Sequence, residues 1–398
     1  MKDRSRWSRR EFVQMAGSSL GAMSFGEPLL ASVARASGRV APRFAYVGFG
    51  GEGAKDEGIA VFDLRAGDVR GGDLRTGRWR QTGVVASAAP SSLAIDANER
   101  FLYAVNEVHE YEGLPSGTVE AYAIDSVDGS LKLVNRQKLS LSATAPRHVA
   151  VSPDGSALVV SVHGGGAYNV LPLGEDGGVG AVSGILKETG SGPHDQQRSA
   201  HPQMVVFDRA GRVVSADLGS DRLSVLKLDT ARLSIVGRYA AQAGAGPRQV
   251  AIHPDGRLLF VANELDASVA CYGYDASEGR IVGRLGQVAT ACGGNAGGVV
   301  MAVDPAGEFL YTAHRRGNGG VSMWRIARST GGLQRLQVVD EDGPRLHEMT
   351  ITADGKSLLG LSRKDGGVIG WRVANGQIGR GVQLANMAAP MSMAAKSL

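Results

Sequence analysis

One pattern returns six times along this 398-residue chain. It consists of a short apolar strand, a tight turn built from Asp, Asn and Gly, and a second strand rich in Leu, Val and Tyr. Glycine takes the positive φ that such hairpin turns need. The turns lie 57, 56, 45, 51 and 48 residues apart, and they are marked by Asn98, Gly155, Gly211, Gly256, Gly307 and Gly355. Most hairpins are followed by further strand-like stretches, and four antiparallel strands per roughly 40–50 residues is the period of a β-propeller blade.

A seventh copy of the repeat is divided between the two ends of the chain. Residues 44–50 and 59–64 supply its middle strands, and residues 391–395 can supply its innermost strand. The 57 glycines, roughly double the usual share, also favour a turn-rich strand protein over a helical one. The sequence therefore predicts an all-β fold: a seven-bladed β-propeller with four antiparallel strands per blade, closed by N- and C-terminal strands in one blade. A β-solenoid would need shorter and more regular repeats.

The first 36 residues resemble a bacterial export signal of the twin-arginine (Tat) type. Arg9 and Arg10 are followed by Phe12, then by a mildly apolar run, and the segment ends at Ala34-Arg35-Ala36 with the small residues that a signal peptidase requires. The alternative is a basic amphipathic surface helix. The resemblance implies that residues 1–36 are removed, that residues 37–398 form a single propeller domain, and that the mature protein is periplasmic or secreted. The Tat translocase would be a partner during export.

Charge and composition exclude several other classes of protein. Six basic and three acidic residues in 1–36 account for +3 of the formal charge of +4, which leaves +1 for the remainder. A near-neutral domain lacks the basic stripe that nucleic-acid binding requires. No stretch of the mature chain approaches the ~20 apolar residues of a membrane span. Cys271 and Cys292 fit no zinc or disulfide framework and are interpreted as buried free thiols, with pairing as the alternative. Closure of the ring predicts a monomer.

Polar residues cluster at one end of the predicted hairpins. In a hairpin, the start of the first strand and the end of the second lie at the same end. Ring closure should bring these ends around one central funnel. The residues that precede first strands are Arg147, His148, His201, Gln203, Arg248 and Arg345, and those that follow second strands are Glu107, His163, Asp217, Glu264, His314 and Arg315.

Arginines dominate this predicted funnel. Arg147, Arg248 and Arg345 are taken as equivalent positions of three blades, and Arg315 joins them. Guanidinium groups bind carboxylate and phosphate in a bidentate manner, so the expected ligand is a small anion. The alternative for each arginine is a salt bridge to a neighbouring blade. No motif requires a metal or cofactor, and Asp217 and Asp221 are interpreted as turn and inter-blade bonding groups.

At these motifs the sequence resembles the bacterial seven-bladed propeller lactonases, the 6-phosphogluconolactonase family, and the related fungal 3-carboxymuconate cyclase. The resemblance covers about residues 43–398. It rests on short segments at consistent blade spacing: FLYAVNE (101–107), GGG (164–166), ADLGSDR (216–222), GPRQ (246–249), HPDG (253–256) and VANEL (261–265).

The resemblance implies a catalytic set at matched positions. The first histidine of the family's His-x-His falls on His201, with Gln203 in place of the second. The arginine of Gly-Pro-Arg-His falls on Arg248, with Gln249 in place of histidine. The remaining matches are Glu264 in Asn-Glu, Arg315 between His314 and Arg316, and His163 where the family has tyrosine.

Lactone hydrolysis requires an activated water and stabilisation of the developing oxyanion. We expect His201 to act as general base, oriented by Glu264, and Arg248 and Arg315 to hold the substrate's anionic group and oxyanion. The predicted substrate-binding residues are Arg147, His148, Glu107, Gln203, His163, His314 and Arg345.

The predicted ligand is a small anionic lactone or sugar acid. Two alternatives stay open: a muconate cycloisomerase, and a non-catalytic propeller that binds an anion or a protein. Gln203 and Gln249, which replace histidines, favour the binding alternative.

Overall fold

The computed structural model describes residues 43–51, 54, 56–64, 78–290, 297–317 and 319–396. Within these residues, 29 β-strands form seven antiparallel sheets arranged as the blades of a ring. The predicted all-β seven-bladed propeller is confirmed. The predicted export segment, residues 1–36, lies outside the described residues.

The strands are numbered in chain order and the sheets are called blades 1 to 7. Blade 1 contains β1 (Phe44–Phe49), β2 (Gly58–Asp63), β3 (Arg80–Ala86) and β29 (Pro390–Lys396). Blade 2 contains β4 (Pro90–Ile95), β5 (Phe101–Asn106), β6 (Thr118–Ile124) and β7 (Leu131–Lys138). Blade 3 contains β8 (Pro146–Val151), β9 (Ala157–Val162), β10 (Ala167–Pro172) and β11 (Gly184–Lys187). Blade 4 contains β12 (Pro202–Phe207), β13 (Arg212–Asp217), β14 (Arg222–Asp229) and β15 (Arg232–Ala240).

The remaining three blades follow the same plan. Blade 5 contains β16 (Pro247–Ile252), β17 (Leu258–Asn263), β18 (Ser268–Asp275) and β19 (Arg280–Ala289). Blade 6 contains β20 (Val299–Val303), β21 (Phe309–His314), β22 (Val321–Ala327) and β23 (Gly332–Val339). Blade 7 contains β24 (Glu348–Ile351), β25 (Ser357–Ser362), β26 (Gly367–Ala374), β27 (Gln377–Ile378) and β28 (Val382–Asn386), and both β27 and β28 pair with β26. A one-turn 3₁₀ helix, Asp195–Gln197, precedes β12.

The ring closes in blade 1, as predicted. The C-terminal strand β29 is its innermost strand and runs antiparallel to β1, with Phe44 opposite Lys396. The Ser392 hydroxyl donates a 2.7 Å hydrogen bond to the carbonyl of Pro90, in the next blade. Closure pairs a strand edge that would otherwise be free to aggregate.

The apolar core lies between neighbouring blades. The second strands β9 and β17 are buried at every position because other blades cover both of their faces. Between blades 2 and 3, for example, Tyr103 and Val105 pack with Val160 and Leu171. Burial of each such side chain stabilises the fold by roughly 1.5–3 kcal/mol. Among the described residues, no helix has the length and apolar character required to cross a membrane.

A β-bulge at the start of several inner strands decides which side chains lie near the axis. In β8, Pro146 is opposite Val162 and His148 is opposite Ser161, so Arg147 between them has no partner. The same register shift leaves Gln203 unpaired in β12 and Arg248 unpaired in β16. A bulge bends the strand and redirects the extra side chain. Two of the arginines that the sequence singled out are therefore bulge residues.

Side chains of the inner strands also link neighbouring blades. The Ser92 hydroxyl accepts a hydrogen bond from the backbone N–H of Val149 at 3.3 Å. Glu348 Oε1 accepts from the N–H of Met393 at 3.3 Å. Gln249 Oε1, at a matching position, accepts from Met301 N–H at 2.9 Å. These bonds satisfy backbone donors on the inner edges of three sheets, where no further strand can pair.

Cys271 lies in β18 as a buried free thiol. Burial raises its pKa to about 12. Cys292, with which Cys271 could pair in the alternative interpretation, lies outside the described residues.

Candidate active site

A cavity of about 450 Å³ lies at one end of the central tunnel. All four residues that the sequence assigned to catalysis line it, so strand ends up to 114 positions apart meet as predicted. The predicted residues in its wall are Arg147, His163, His201, Gln203, Arg248, Glu264 and Arg315. Arg147, Gln203 and Arg248 also line the tunnel, a cavity of about 640 Å³. The site and the tunnel are therefore continuous.

Glu264 is the centre of an arginine cluster. It follows β17 and is only 5% exposed. Its carboxylate lies 3.3 Å from Arg248 Nη1 and 3.0 Å from Arg315 Nη1. Arg316 Nη2 approaches to 3.4 Å. Burial alone would raise the pKa of this carboxyl, but the surrounding guanidinium groups hold it below its usual value.

A close approach of the backbone fixes Glu264 in place. Its N–H donates to the carbonyl of Gly246 at 2.8 Å, and its own carbonyl accepts from the N–H of Gly298 at 2.9 Å. Gly298 has a φ of +70°, and a Cβ there would lie 2.8 Å from Glu264 Oε2. Only glycine fits this position without displacing the carboxylate.

Arginines of the cavity wall also form salt bridges, including bridges between blades. Arg147 and Arg248 make salt bridges, and the same side chains line the cavity. Arg147 Nη1 lies 2.6 Å from Glu107 Oε1, which belongs to the end of the neighbouring blade. The Nε atoms of Arg147 and Arg315 are buried and have no hydrogen-bond partner among the described residues. An unpaired buried donor of this kind is energetically costly.

Positive charge exceeds negative charge in the cavity wall. Its lining contains five arginines and only two carboxylates. The arginines are Arg147, Arg198, Arg248, Arg315 and Arg316, and the carboxylates belong to Asp195 and Glu264. Burial and neighbouring guanidinium groups lower the pKa of Arg315 to about 10. Charges this crowded in a partly dry cavity favour an anionic ligand.

His201 and His163, which also line the cavity, form a stacked pair. Their ring centroids are 4.3 Å apart and their planes differ by 16°. His201 Nδ1 lies 2.9 Å from the carbonyl oxygen of His163. A carbonyl can only accept, so Nδ1 carries the proton and Nε2 keeps its lone pair. Ser199 Oγ is 3.4 Å from that Nε2.

The backbone of His163 and the side chain of Asp217 therefore position His201. Asp217 Oδ1 accepts the backbone N–H of His201 at 2.7 Å. The expectation that Glu264 orients His201 does not match these contacts, because the carboxylate of Glu264 is occupied by arginines. On the other side, Gln203 Nε2 lies 2.6 Å from His163 Nδ1. Burial and the charge of Arg147 lower the pKa of His163 to about 3, so this ring stays neutral.

Asp217 and Asp221 make bonds within the protein. Besides His201, Asp217 Oδ1 accepts the N–H of Gly219 at 2.9 Å. The two oxygens of Asp221 accept from Gly244 and Gly246, in the connection to blade 5. The described part of the chain contains no group of three or more His, Cys, Asp or Glu side chains that could hold a metal ion.

Two predicted site residues lie elsewhere. Arg345 was predicted to be equivalent to Arg147. In blade 3, Arg147 immediately precedes His148, the residue that pairs with Ser161. The residue of blade 7 that pairs in the same way is Glu348, so His347, and not Arg345, is the equivalent of Arg147. The connection after Pro344 is two residues longer than the one after Pro146. Arg345 lines neither cavity.

His314 also lies outside both cavities, because its side chain is buried at the end of β21 and is 9% exposed. His148 lines the tunnel, where burial lowers its pKa to about 4. The sequence analysis missed His347, whose Nδ1 lies 3.0 Å from Arg315 Nη2. It also missed Glu348, where burial raises the carboxyl pKa to about 8.

Comparison with known proteins agrees with this geometry. The family model described as a seven-bladed β-propeller lactonase matches residues 45–394. The chain belongs to that lactonase family. Its resemblance to the 6-phosphogluconolactonase family, first visible in the blade motifs, is thereby confirmed.

Three known proteins illustrate what this chain is similar to. A 6-phosphogluconolactonase of Bacillus subtilis is 29% identical over 257 residues, which is 64% of this chain and 71% of the relative. One from Pectobacterium carotovorum is 31% identical over 260 residues, 63% of this chain and 70% of the relative. The solved structure of a periplasmic gluconolactonase of Pseudomonas aeruginosa has a TM-score of 0.76 at 22% identity, covering 89% of this chain and 98% of that one. That last likeness concerns the fold.

Proposed function

We propose that this chain is an exported lactonase that hydrolyses an anionic or sugar-derived lactone in the arginine-lined cavity. The single observation that carries the proposal is the meeting of His201, Arg248, Glu264 and Arg315 around one cavity of about 450 Å³. A histidine whose Nδ1 donates to a backbone carbonyl, and whose Nε2 can therefore accept a proton, lies in the wall of a cavity rich in guanidinium groups. Water activation and oxyanion stabilisation are the two requirements of lactone opening.

In this mechanism, His201 Nε2 removes a proton from a water molecule as its oxygen attacks the lactone carbonyl carbon. The carbonyl oxygen becomes an oxyanion, which Arg248 and Arg315 stabilise. Collapse of the tetrahedral intermediate breaks the bond to the ring oxygen, and the proton on Nε2 passes to that oxygen. The product is a hydroxy acid, which releases its carboxyl proton to solvent, and the resulting carboxylate is held by the same arginines. Glu264 keeps those arginines in position rather than contacting His201.

The substrate is proposed from compartment and from relatives. Phosphorylated sugars are scarce outside the cytoplasm, so an exported lactonase would act on an unphosphorylated aldonolactone. One structural neighbour is named a periplasmic gluconolactonase, whereas curated relatives are named 6-phosphogluconolactonases. Glucono-δ-lactone and 6-phosphogluconolactone are therefore the two substrates to compare.

The test is hydrolysis of both lactones by the purified chain, corrected for the rate in buffer alone. We expect turnover of at least one lactone, and we expect His201→Gln to lower kcat/KM by about 10²–10⁴ as the general base is lost. No acceleration by the unchanged chain, together with tight binding of gluconate, would favour the binding alternative. Equal activity of the wild type and His201→Gln would remove His201 from its proposed role.

Export through the Tat translocase rests on residues 1–36 and has its own test. Replacement of both Arg9 and Arg10 by lysine should retain the protein in the cytoplasm, because the twin arginine is the recognised feature. Cell fractionation followed by immunoblotting measures the distribution. Equal periplasmic amounts of the variant and wild type would contradict Tat export. We also propose that the exported protein is a monomer, which sedimentation equilibrium would check.

A further inference from the structure

One wall of the cavity comes from a connection that is unusually long for this propeller. The outer strand β11 ends at Lys187 and the inner strand β12 begins at Pro202, so 14 residues join blade 3 to blade 4. The six other connections from an outer strand to the next inner strand contain 3 to 9 residues. Loops of this length that carry their own structure are often functional. We call residues 188–201 the blade 3–4 loop.

A buried glutamine anchors the 3₁₀ turn of this loop. Gln197 is fully buried, and its Nε2 donates to the carbonyl of Leu218 at 2.8 Å. Its Oε1 accepts the backbone N–H of His194 at 3.1 Å. The loop also packs closely on Gly219, where a Cβ would lie 1.8 Å from the carbonyl oxygen of Ser199. The 3₁₀ turn is therefore held rigidly against the end of β13.

The anchored turn presents three polar side chains to the cavity. Asp195, Gln196 and Arg198 all line it, and all three are exposed. A carboxylate accepts hydrogen bonds, a guanidinium group donates them, and an amide does both. Together they match the alternating donors and acceptors of neighbouring hydroxyl groups. His201, the last residue of this loop, and Arg248 and Arg315, from blades 5 and 6, line the same cavity.

We infer that the blade 3–4 loop determines specificity by binding the hydroxyl groups of a polyhydroxylated ligand, with Gln197 as its positioning residue. This inference rests on the proposed lactonase activity and adds the part of the substrate that is recognised away from the carbonyl. The ligand class is a sugar-derived lactone, as opposed to a lactone with an unsubstituted ring. Lactone hydroxyls would bind Asp195 and Gln196, and Arg198 would donate to their oxygens.

The experiment compares two substrates that share the reacting bond, glucono-δ-lactone and δ-valerolactone. Each of Asp195→Ala and Gln196→Ala should lower kcat/KM for the hydroxylated lactone about 3- to 10-fold more than for the unsubstituted one, as expected for loss of one hydrogen bond. The change should appear mainly in KM. Glu278→Ala is the matched control, because Glu278 is an exposed residue at a turn between β18 and β19, outside the cavity.

Gln197→Ala should reduce the same preference by at least as much as either single variant, since it releases the whole turn. Gln196→Asn, which keeps the amide, should restore part of the preference lost in Gln196→Ala. A uniform loss on both substrates, or no loss on either, would overturn the inference while leaving the lactonase proposal intact. Failure of the wild type to hydrolyse glucono-δ-lactone, δ-valerolactone and 6-phosphogluconolactone would instead refute the lactonase proposal. In that case weaker gluconate binding in Asp195→Ala, measured by calorimetry, would still support the loop's role in binding hydroxyl groups, and unchanged binding would overturn it.

Discussion

Glu348 gives the fold a pH dependence that one substitution should remove. Its carboxyl lies in the wall of the tunnel, and burial raises its pKa from 4.5 to about 8. Its only hydrogen bond among the described residues joins Oε1 to the backbone N–H of Met393, in the strand that closes the ring. Glutamine has the same shape and keeps that acceptor oxygen, but it cannot titrate.

The sign follows from comparing the folded and unfolded states. Between pH 4.5 and 8 the folded state holds a proton on Glu348 that the unfolded state has released. The free energy of unfolding must therefore fall as pH rises through this window, by about 1.4 kcal/mol per pH unit. From pH 5 to pH 8 the loss amounts to about 4 kcal/mol. Below the unfolded pKa, and above the folded pKa, this contribution no longer changes.

Glu348→Gln should therefore become progressively more stable than the wild type as pH rises from 5 to 8. Urea unfolding at pH 5, 6, 7 and 8, followed by intrinsic fluorescence, measures the difference. His148 and His163, whose pKa values are lowered, give slopes of the opposite sign below about pH 6.5, but these are common to both proteins and cancel. Parallel stability curves for the two proteins would refute the assignment of a protonated carboxyl.

Three further predictions follow from the cavity and from β18. Arg248→Ala should lower turnover of the preferred lactone by about 10²–10³-fold, as for loss of one oxyanion donor. Arg345→Ala is the matched control, because Arg345 lines neither cavity. Equal effects of the two substitutions would reject a role for Arg248. Glu264→Gln should lower the free energy of unfolding by about 3–5 kcal/mol, because Arg248, Arg315 and Arg316 lose the carboxylate with which they form ion pairs. An unchanged midpoint in a denaturant titration would contradict this prediction. In a Cys292→Ser background, Cys271 should resist labelling by a thiol-reactive disulfide at pH 8 until the protein is unfolded, since burial raises the pKa of this thiol to about 12. Rapid labelling of the native protein would contradict the prediction.

Much of the fold could be predicted because each blade repeats one local pattern. The spacing of Gly256, Gly307 and Gly355 follows from hairpin chemistry, and a strand partner for residues 391–395 follows from the incomplete first blade. Meeting of the strand ends then follows from ring geometry. For that reason His201, Arg248 and Glu264 could be placed in one cavity before any coordinates were known.

The parts that could not be predicted depend on irregular backbone. Two extra residues after Pro344 shift the register of blade 7, so Arg345 misses the axis and His347 reaches Arg315. The contact that orients His201 comes from the carbonyl of His163, which carries no signal in the sequence. Likewise, the blade 3–4 loop has no hydrophobic periodicity, and its 3₁₀ turn is held by the buried side chain of Gln197, whose partners are not visible in the sequence.

Incorporation of solvent oxygen during turnover tests the central claim most directly. Glucono-δ-lactone is mixed with the purified chain in ¹⁸O-labelled water, and the product is analysed by mass spectrometry at times when the buffer reaction is negligible. Attack of water on the carbonyl carbon predicts one ¹⁸O atom in each product carboxylate, formed faster than in buffer and slowed in Arg248→Ala. If the label appears no faster than in buffer, hydrolysis in the arginine-lined cavity is contradicted. In a parallel reaction with a muconate lactone, formation of an unlabelled isomer would indicate cycloisomerisation instead.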